Sequence, residues 1–597
     1  MLKRFFTIFL GSMAAIWLSA GVLVLLFFMM IAAASQMGGS KSKPEVKNNS
    51  VLVLDLSGQI EERLTPTTLL DAIYGYDETR AGLNNITGAI RCAAKDKRIA
   101  GIYIKAKGSS AGTATCQSIV EELNRFKAEG KWIVAYGDSY TQGDYMISSM
   151  ADDILINPEG SVDIHGLGGQ VLFFTGLLEK LGVEMQVIRV GTFKSAVEPF
   201  MLKEMSAANR EQTQAYIDGI WGEVRDIIAN NRPQLTSDEI NVLADSMVMT
   251  VSVDELMTLG VVDNKVYERT VDDFIAGKID GVEKGKDVSY IGVDDYCSAV
   301  NTLNPEKWSD DKRVDKNEIA ILYAMGDIVD SGDEGIVGEA MVKEITELAD
   351  NDNVKGLILR VNSGGGSAFA SEQIWEALEY FKSKDKKFYA SMGDVAASGG
   401  YYISCGADSI YAQPTTITGS IGIFGLIPNI NGLVTDKLGV TMSGVGSNAN
   451  SDFPTIMKPM TSYQRACMQK MINRGYETFT GRCAAGRHMD IDSIKAIAEG
   501  RVWYGAKAKD LGLVDVLGGL DKAVADMAAA IGGEGYSIGE YPDLEMNWWD
   551  ELMNIDKSMK MRAMREAAGD AWPLYHAAQQ IKNMAPIQCR METVVVE

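Results

Sequence analysis

The chain has 597 residues, too many for one hydrophobic core, so two or more domains are expected. A hydrophobic content of 46% with 23% charged residues is that of an ordinary globular protein. The formal net charge of −23 argues against a nucleic-acid partner, because phosphate binding needs clustered Lys and Arg.

The first element is a membrane segment. Residues 5–34 carry no charge and follow Lys3 and Arg4. Roughly 20 apolar residues cross a bilayer, whereas the apolar core of a signal peptide is shorter, about 7–15. Residues 1–36 therefore read as an uncleaved transmembrane anchor, and residues 37–50, mostly small and polar, as a linker. Lysines and arginines lie on both sides (Lys3 and Arg4 before, Lys41, Lys43 and Lys47 after), so flanking charge does not decide the orientation.

Beyond the linker the chain repeats itself. Gly137-Asp138 matches Gly393-Asp394, Tyr145 matches Tyr401, Ala151-Asp152 matches Ala407-Asp408, and Pro158 matches Pro414. Every pair is 256 positions apart (393 minus 137, and 414 minus 158). The motif Leu-Gly-Val-Val-Asp263 returns as Leu-Gly-Leu-Val-Asp515. Two diverged copies follow, a first repeat over residues 51–305 and a second over 306–535, each of ordinary domain size. Each reads as strand, helix, strand. In the second copy Gly356-Leu-Ile-Leu-Arg-Val is a short apolar run, as for a strand buried on both faces. Ile374, Ala377, Leu378 and Phe381 then recur on one helical face, and Phe388-Tyr-Ala-Ser-Met is the next strand. Strand–helix–strand at this spacing implies parallel pairing, and the fold class is α/β.

In the first copy, two side chains carry chemistry. Lys194 lies in Arg189-Val-Gly-Thr-Phe-Lys194-Ser-Ala-Val-Glu-Pro-Phe200, among apolar neighbours Phe193, Ala196, Val197 and Phe200. A buried lysine loses its charge more easily and can serve as a base. A solvated surface lysine is the common alternative. His165 is a rival base, although a structural histidine reads as well there.

In the second copy, Asp394-Val-Ala-Ala-Ser398-Gly399-Gly400-Tyr401 follows a strand and opens a helix. A serine at that junction can present its hydroxyl beside free backbone N–H groups, which suits acyl transfer. The N–H of Gly399 is one candidate oxyanion donor. A second can come from the loop Gly364-Gly365-Gly366, taken at Gly365. The alternative is a tight turn with an incidental serine; neither phosphate-binding glycine pattern occurs at these two loops.

The repeat couples the two sites. Ser398 aligns with Gln142, so the first copy has no serine there, and it has Lys107-Gly-Ser-Ser where the second has three glycines. Lys194 aligns, across a gap, with Ala449. Each copy keeps what the other lacks, as expected of a site assembled across the repeat interface. The seven cysteines form no C-x-x-C pair, so no zinc site or thioredoxin-like motif is indicated, and no metal or cofactor is expected. The tail, residues 536–597, reads as an amphipathic segment and a terminal strand without an assigned role.

Asn362-Ser-Gly-Gly-Gly-Ser367, Met392-Gly-Asp-Val-Ala-Ala-Ser-Gly-Gly-Tyr-Tyr-Ile-Ser404 and Thr418-Gly-Ser-Ile-Gly-Ile-Phe-Gly425 resemble the signal peptide peptidase A family in its long, two-repeat form. These are serine peptidases of the Clp protease/crotonase fold, and the Lys194 motif is also similar to theirs. One departure is Gly364, where the family usually has proline. The resemblance implies a Ser398/Lys194 dyad, with Ser420 as a possible lysine-orienting serine. It also implies apolar peptide substrates, chiefly cleaved signal peptides, and a homotetramer. The anchor would lie in the cytoplasmic membrane with the catalytic domains on its non-cytoplasmic side. An acyl-CoA enzyme of the same fold and a non-enzymatic membrane scaffold are the other readings.

Overall fold

The computed structural model describes residues 4, 9, 11–13, 17–19, 21–22, 44–64, 81–301, 317–332, 334–532, 535–544, 564, 569, 587–591 and 595–596. The charge-free run 5–34 falls largely outside them. No helix among the described residues is long and apolar enough to cross a membrane.

Two parallel sheets carry the molecule, and they have one topology. In the first, the neighbours run Ser289–Gly292, Ser50–Glu61, Ile99–Ser110, Trp132–Tyr140, Asp153–Val162 and Asn264–Lys265, all parallel. In the second they run Ser537–Tyr541, Glu318–Met325, Val354–Ser363, Lys387–Ala397, Ser409–Ala412 and Val516–Leu517, again all parallel. Strand for strand the order is the same, so the repeat read from 256-residue spacing is a repeat of architecture. The edge strand Ser537–Tyr541 lies past residue 535, so the tail begins inside the second sheet rather than after it.

The local elements follow the apolar pattern. Val354–Ser363 is buried along nearly its whole length, as a central strand covered on both faces must be. In the helix Ala368–Lys382, the face made by Ile374, Ala377, Leu378 and Phe381 is buried against the sheet. The strand expected to end at Met392 continues to Ala397. Its register against the neighbouring strand shifts between Val361 and Ser363, and Val395–Ala397 then pair with Ile417–Gly419. That extension delivers the chain to Ser398.

A third sheet joins the halves. Its neighbours are Ile336–Val337, Ile328–Val329, Gly365–Ser367, Ile587–Arg590, Phe424–Asn429 and Glu184–Arg189. The last of these belongs to the first repeat and pairs antiparallel with Phe424–Asn429 of the second. Burial of Gln186 and Ile188, with Glu184 exposed, gives it the alternation of a half-covered strand. Two further contacts tie the repeats. Arg360 and Glu62 form a fully buried, two-pronged ion pair, with Nε–Oε2 and Nη2–Oε1 both at 2.9 Å. The Asp394 carboxylate accepts the Thr115 N–H at 3.0 Å and its hydroxyl at 2.7 Å.

Candidate active site

Ser398 sits between strand and helix in a conformation that L-residues avoid, φ 56° and ψ −110°. Such strain costs about 1–3 kcal/mol and persists only where the surroundings fix it. Here they do. Its N–H donates to Gly419 O at 2.8 Å, and its own carbonyl accepts the Tyr402 N–H at 2.8 Å, starting the helix Gly399–Ser404. The side chain is fully buried.

Lys194 arrives from the other repeat. The strand Glu184–Arg189 pins its segment to the second half, and the Phe193 N–H donates to Glu499 O at 3.0 Å. Gln212, on the helix Ala207–Asn231, clamps the same segment. Its Nε2 donates to Phe193 O at 3.1 Å and to Ser195 Oγ at 3.0 Å, while its Oε1 accepts the Val502 N–H at 3.1 Å. Gly500, at φ +80°, is required beneath the lysine: a Cβ there would stand 2.7 Å from Lys194 Cα. Val197 is buried against Phe424 and Leu426, with Ala196 and Phe200 beside it, so the apolar wall expected around the lysine is present.

The two groups meet. Lys194 is 1% exposed, and its Nζ lies 2.7 Å from Ser398 Oγ. The same Nζ lies 3.0 Å from both the carbonyl and the hydroxyl of Ser420. Ser420 is itself held at φ 51°, its N–H donating to Arg501 O at 2.7 Å. Burial penalises the charged form and brings the Lys194 ammonium down to about 7, with Cys589 pulling slightly the other way.

On the opposite side of Ser398 lies the glycine loop. The Gly365 N–H is turned inward to Ser363 Oγ, 3.1 Å away. Gly366 instead belongs to an antiparallel ladder with the tail strand, opposite Cys589. Since Met591 N–H donates to Gly364 O at 2.8 Å and bonded pairs alternate along such a ladder, the Gly366 N–H faces the Cys589 carbonyl. The donor direction expected of Gly365 is thus taken by its neighbour. Neither Cys589 nor Gln212 was marked by the sequence; nothing in a four-residue tail strand or in one glutamine of a long helix sets it apart.

In the first repeat the equivalent site is filled by its own side chains. The Gln142 carbonyl accepts the N–H groups of His165 (3.1 Å) and Gly166 (2.9 Å), and its amide donates to Gly166 O at 3.0 Å. Asp144, buried, accepts the Gly108 N–H at 2.9 Å and also bonds Ser109. His165 is exposed and its Nδ1 stands 2.9 Å from Asp163, away from the Ser398–Lys194 contact. Among the described residues no group of three or more His, Cys, Asp or Glu could hold a metal ion.

Two parallel-sheet repeats with a buried serine and lysine meeting between them are the framework of a serine peptidase. The chain belongs to peptidase family S49, whose pattern matches it twice, over residues 125–273 and 380–532, once in each repeat. It is 34% identical to Protease 4 of Salmonella typhi over 563 residues, 91% of this chain and 88% of that one. It is 28% identical to the chloroplastic serine protease SPPA of Arabidopsis thaliana over 487 residues, 80% of this chain and 69% of that one. With the putative signal peptide peptidase SppA of Enterococcus faecium it shares 30% identity over 242 residues, 40% of this chain and 70% of that one.

Proposed function

We propose that Ser398 is the nucleophile and Lys194 the general base of an endopeptidase that degrades cleaved signal peptides and other apolar peptides. The observation that carries this reading is the 2.7 Å approach of Lys194 Nζ to Ser398 Oγ at a buried, uncharged site. A neutral lysine has two N–H donors and one lone pair. The donors go to the carbonyl and hydroxyl of Ser420, which leaves the lone pair facing the Ser398 O–H. Ser420 thus orients the base.

The reaction follows from that arrangement. Lys194 takes the Ser398 proton as Oγ attacks the peptide carbonyl. The N–H groups of Gly399 and Gly366 receive the oxyanion, with Gly366 in the place first expected of Gly365. Lys194 then protonates the departing amine, and water repeats the sequence on the ester.

The wider setting belongs to the same proposal. The repeats are of the Clp protease/crotonase type. Residues 5–34 anchor the chain in the cytoplasmic membrane, and the repeats work on its non-cytoplasmic side as a homotetramer. Support comes from the charge-free run itself and from the printed name of the Enterococcus faecium relative. A serine-directed phosphonate with an apolar peptide arm tests the chemistry. The adduct should form on the peptide bearing Ser398 and form much more slowly in Lys194→Met. Labelling at another residue, or equal labelling of both proteins, would refute the dyad.

A further inference from the structure

The third sheet holds a peptide where a substrate belongs. Ile587–Arg590 runs antiparallel between Gly365–Ser367 on one side and Phe424–Gly425 on the other. Proteases and other peptide binders take extended chains in this way, as an added strand. The register places one carbonyl at the chemistry. Cys589 lies opposite Gly366, whose N–H faces its oxygen. A Cβ built on Gly365 would lie 2.1 Å from that oxygen and 2.6 Å from the Gly399 N; one built on Gly399 would lie 3.0 Å from the same oxygen. The Cys589 carbonyl therefore stands where the two oxyanion donors converge.

The flanking residues are held as firmly. The Cys589 side chain is fully buried beside Lys194. Burial pushes its thiol up to about 12, so it remains an S–H and does not compete as a nucleophile. Arg590 follows, with Nη2 2.9 Å from Asp327 Oδ2. Further on, Val595–Val596 pair antiparallel with Gly169–Gln170 of the first repeat. The chain is gripped by itself on both sides of the Cys589–Arg590 bond.

We propose that this strand is the chain's own first substrate: Ser398 cuts it between Cys589 and Arg590, and Asp327 selects the basic residue that follows the cut. The proposal rests on the Ser398/Lys194 assignment above. The Ser398 Oγ–carbon bond to Cys589 forms while Lys194 takes the Oγ proton. The carbon–nitrogen bond to Arg590 breaks, and Lys194 gives that proton to the leaving amine. Water then cleaves the Cys589 ester, which restores Ser398 and leaves a carboxylate on Cys589. Until it is cut, the strand competes with every other peptide for the cleft.

The test is the intact mass of the full chain in detergent, followed over time, with turnover of an added apolar peptide measured in parallel. The wild type should lose the peptide beginning at Arg590 and end at Cys589, at a rate independent of protein concentration. Ser398→Ala should stay whole, alone or mixed with wild type. Asp327→Arg should slow the cut by about tenfold or more, the loss expected for a charge-assisted contact, and adding Arg590→Asp should restore it. A wild-type chain that turns over the added peptide yet keeps its tail refutes self-cleavage and leaves the dyad standing. So does a new end at another residue, or cutting of Ser398→Ala by wild type in the mixture. A wild type that does neither brings down both proposals. A double variant cut no faster than Asp327→Arg refutes the role of Asp327.

Discussion

Replacing Lys194 by Met should abolish turnover and, at neutral pH, make the protein more stable. Moving a lysine from 10.5 to about 7 by burial costs about 4–5 kcal/mol, at about 1.4 kcal/mol per pH unit. Met fills similar space without that cost. It also leaves the hydroxyls of Ser398 and Ser420 without their amine partner, a loss of about 1–2 kcal/mol for each. The balance at pH 7 is a gain of about 2 kcal/mol. The sign with pH follows from the lowered folded-state value. The penalty is full below about pH 7, shrinks as the unfolded lysine also loses its proton, and by pH 10 is about 1 kcal/mol. The lost hydrogen bonds remain, so at pH 10 the variant should be the less stable protein. Guanidinium unfolding of both proteins at pH 7 and pH 10, followed by tryptophan fluorescence, reads the difference directly. A difference that does not change between the two pH values would refute a lysine neutralised by burial.

Three further outcomes follow from the site and its supports. The kcat/KM for an apolar peptide should rise with pH through about 7 and level off above it, because Lys194 must be neutral to act; a rate that falls across that range would contradict the base assignment. Gly500→Ala should lower kcat by about tenfold or more with a small change in KM, since its Cβ would push on Lys194 Cα at 2.7 Å, and wild-type kcat in a folded variant would show that the lysine is not wedged there. Glu62→Ala should destabilise the chain by about 3–5 kcal/mol, as it strands Arg360 as an unpaired buried charge, and denaturant unfolding would contradict this with a loss under about 1 kcal/mol.

The sequence carried the pair and missed the peptide between its walls. Ser398 and Lys194 were legible because the repeat supplied a register: Gln142 marked the empty place in one copy and Ala449 in the other. The structure adds why the first copy is silent, since Gln142 and Asp144 use their side chains to bond the very loops that would otherwise bind substrate. The helix face at Ile374 and Phe381 was legible because burial imposes a period. The donor at Gly366 was not, because three successive glycines give no clue to which N–H turns outward; that depends on Ser363 Oγ capturing Gly365. The strand Ile587–Arg590 was placed only loosely, as a terminal strand without a role. Its partners lie more than two hundred positions earlier, and four residues hold too little pattern to name them. The strand Ser537–Tyr541 was read as tail for the same reason, since its place beside Glu318–Met325 is set by tertiary pairing alone.

The central claim is a site built from both halves of one chain, and variant turnover tests it most directly. Ser398→Ala and Lys194→Met should each lose at least about 10³-fold in kcat/KM on an apolar peptide, and mixing the two should restore nothing, because both groups must come from the same molecule. Wild-type turnover in either variant, or activity recovered in the mixture, would contradict the account.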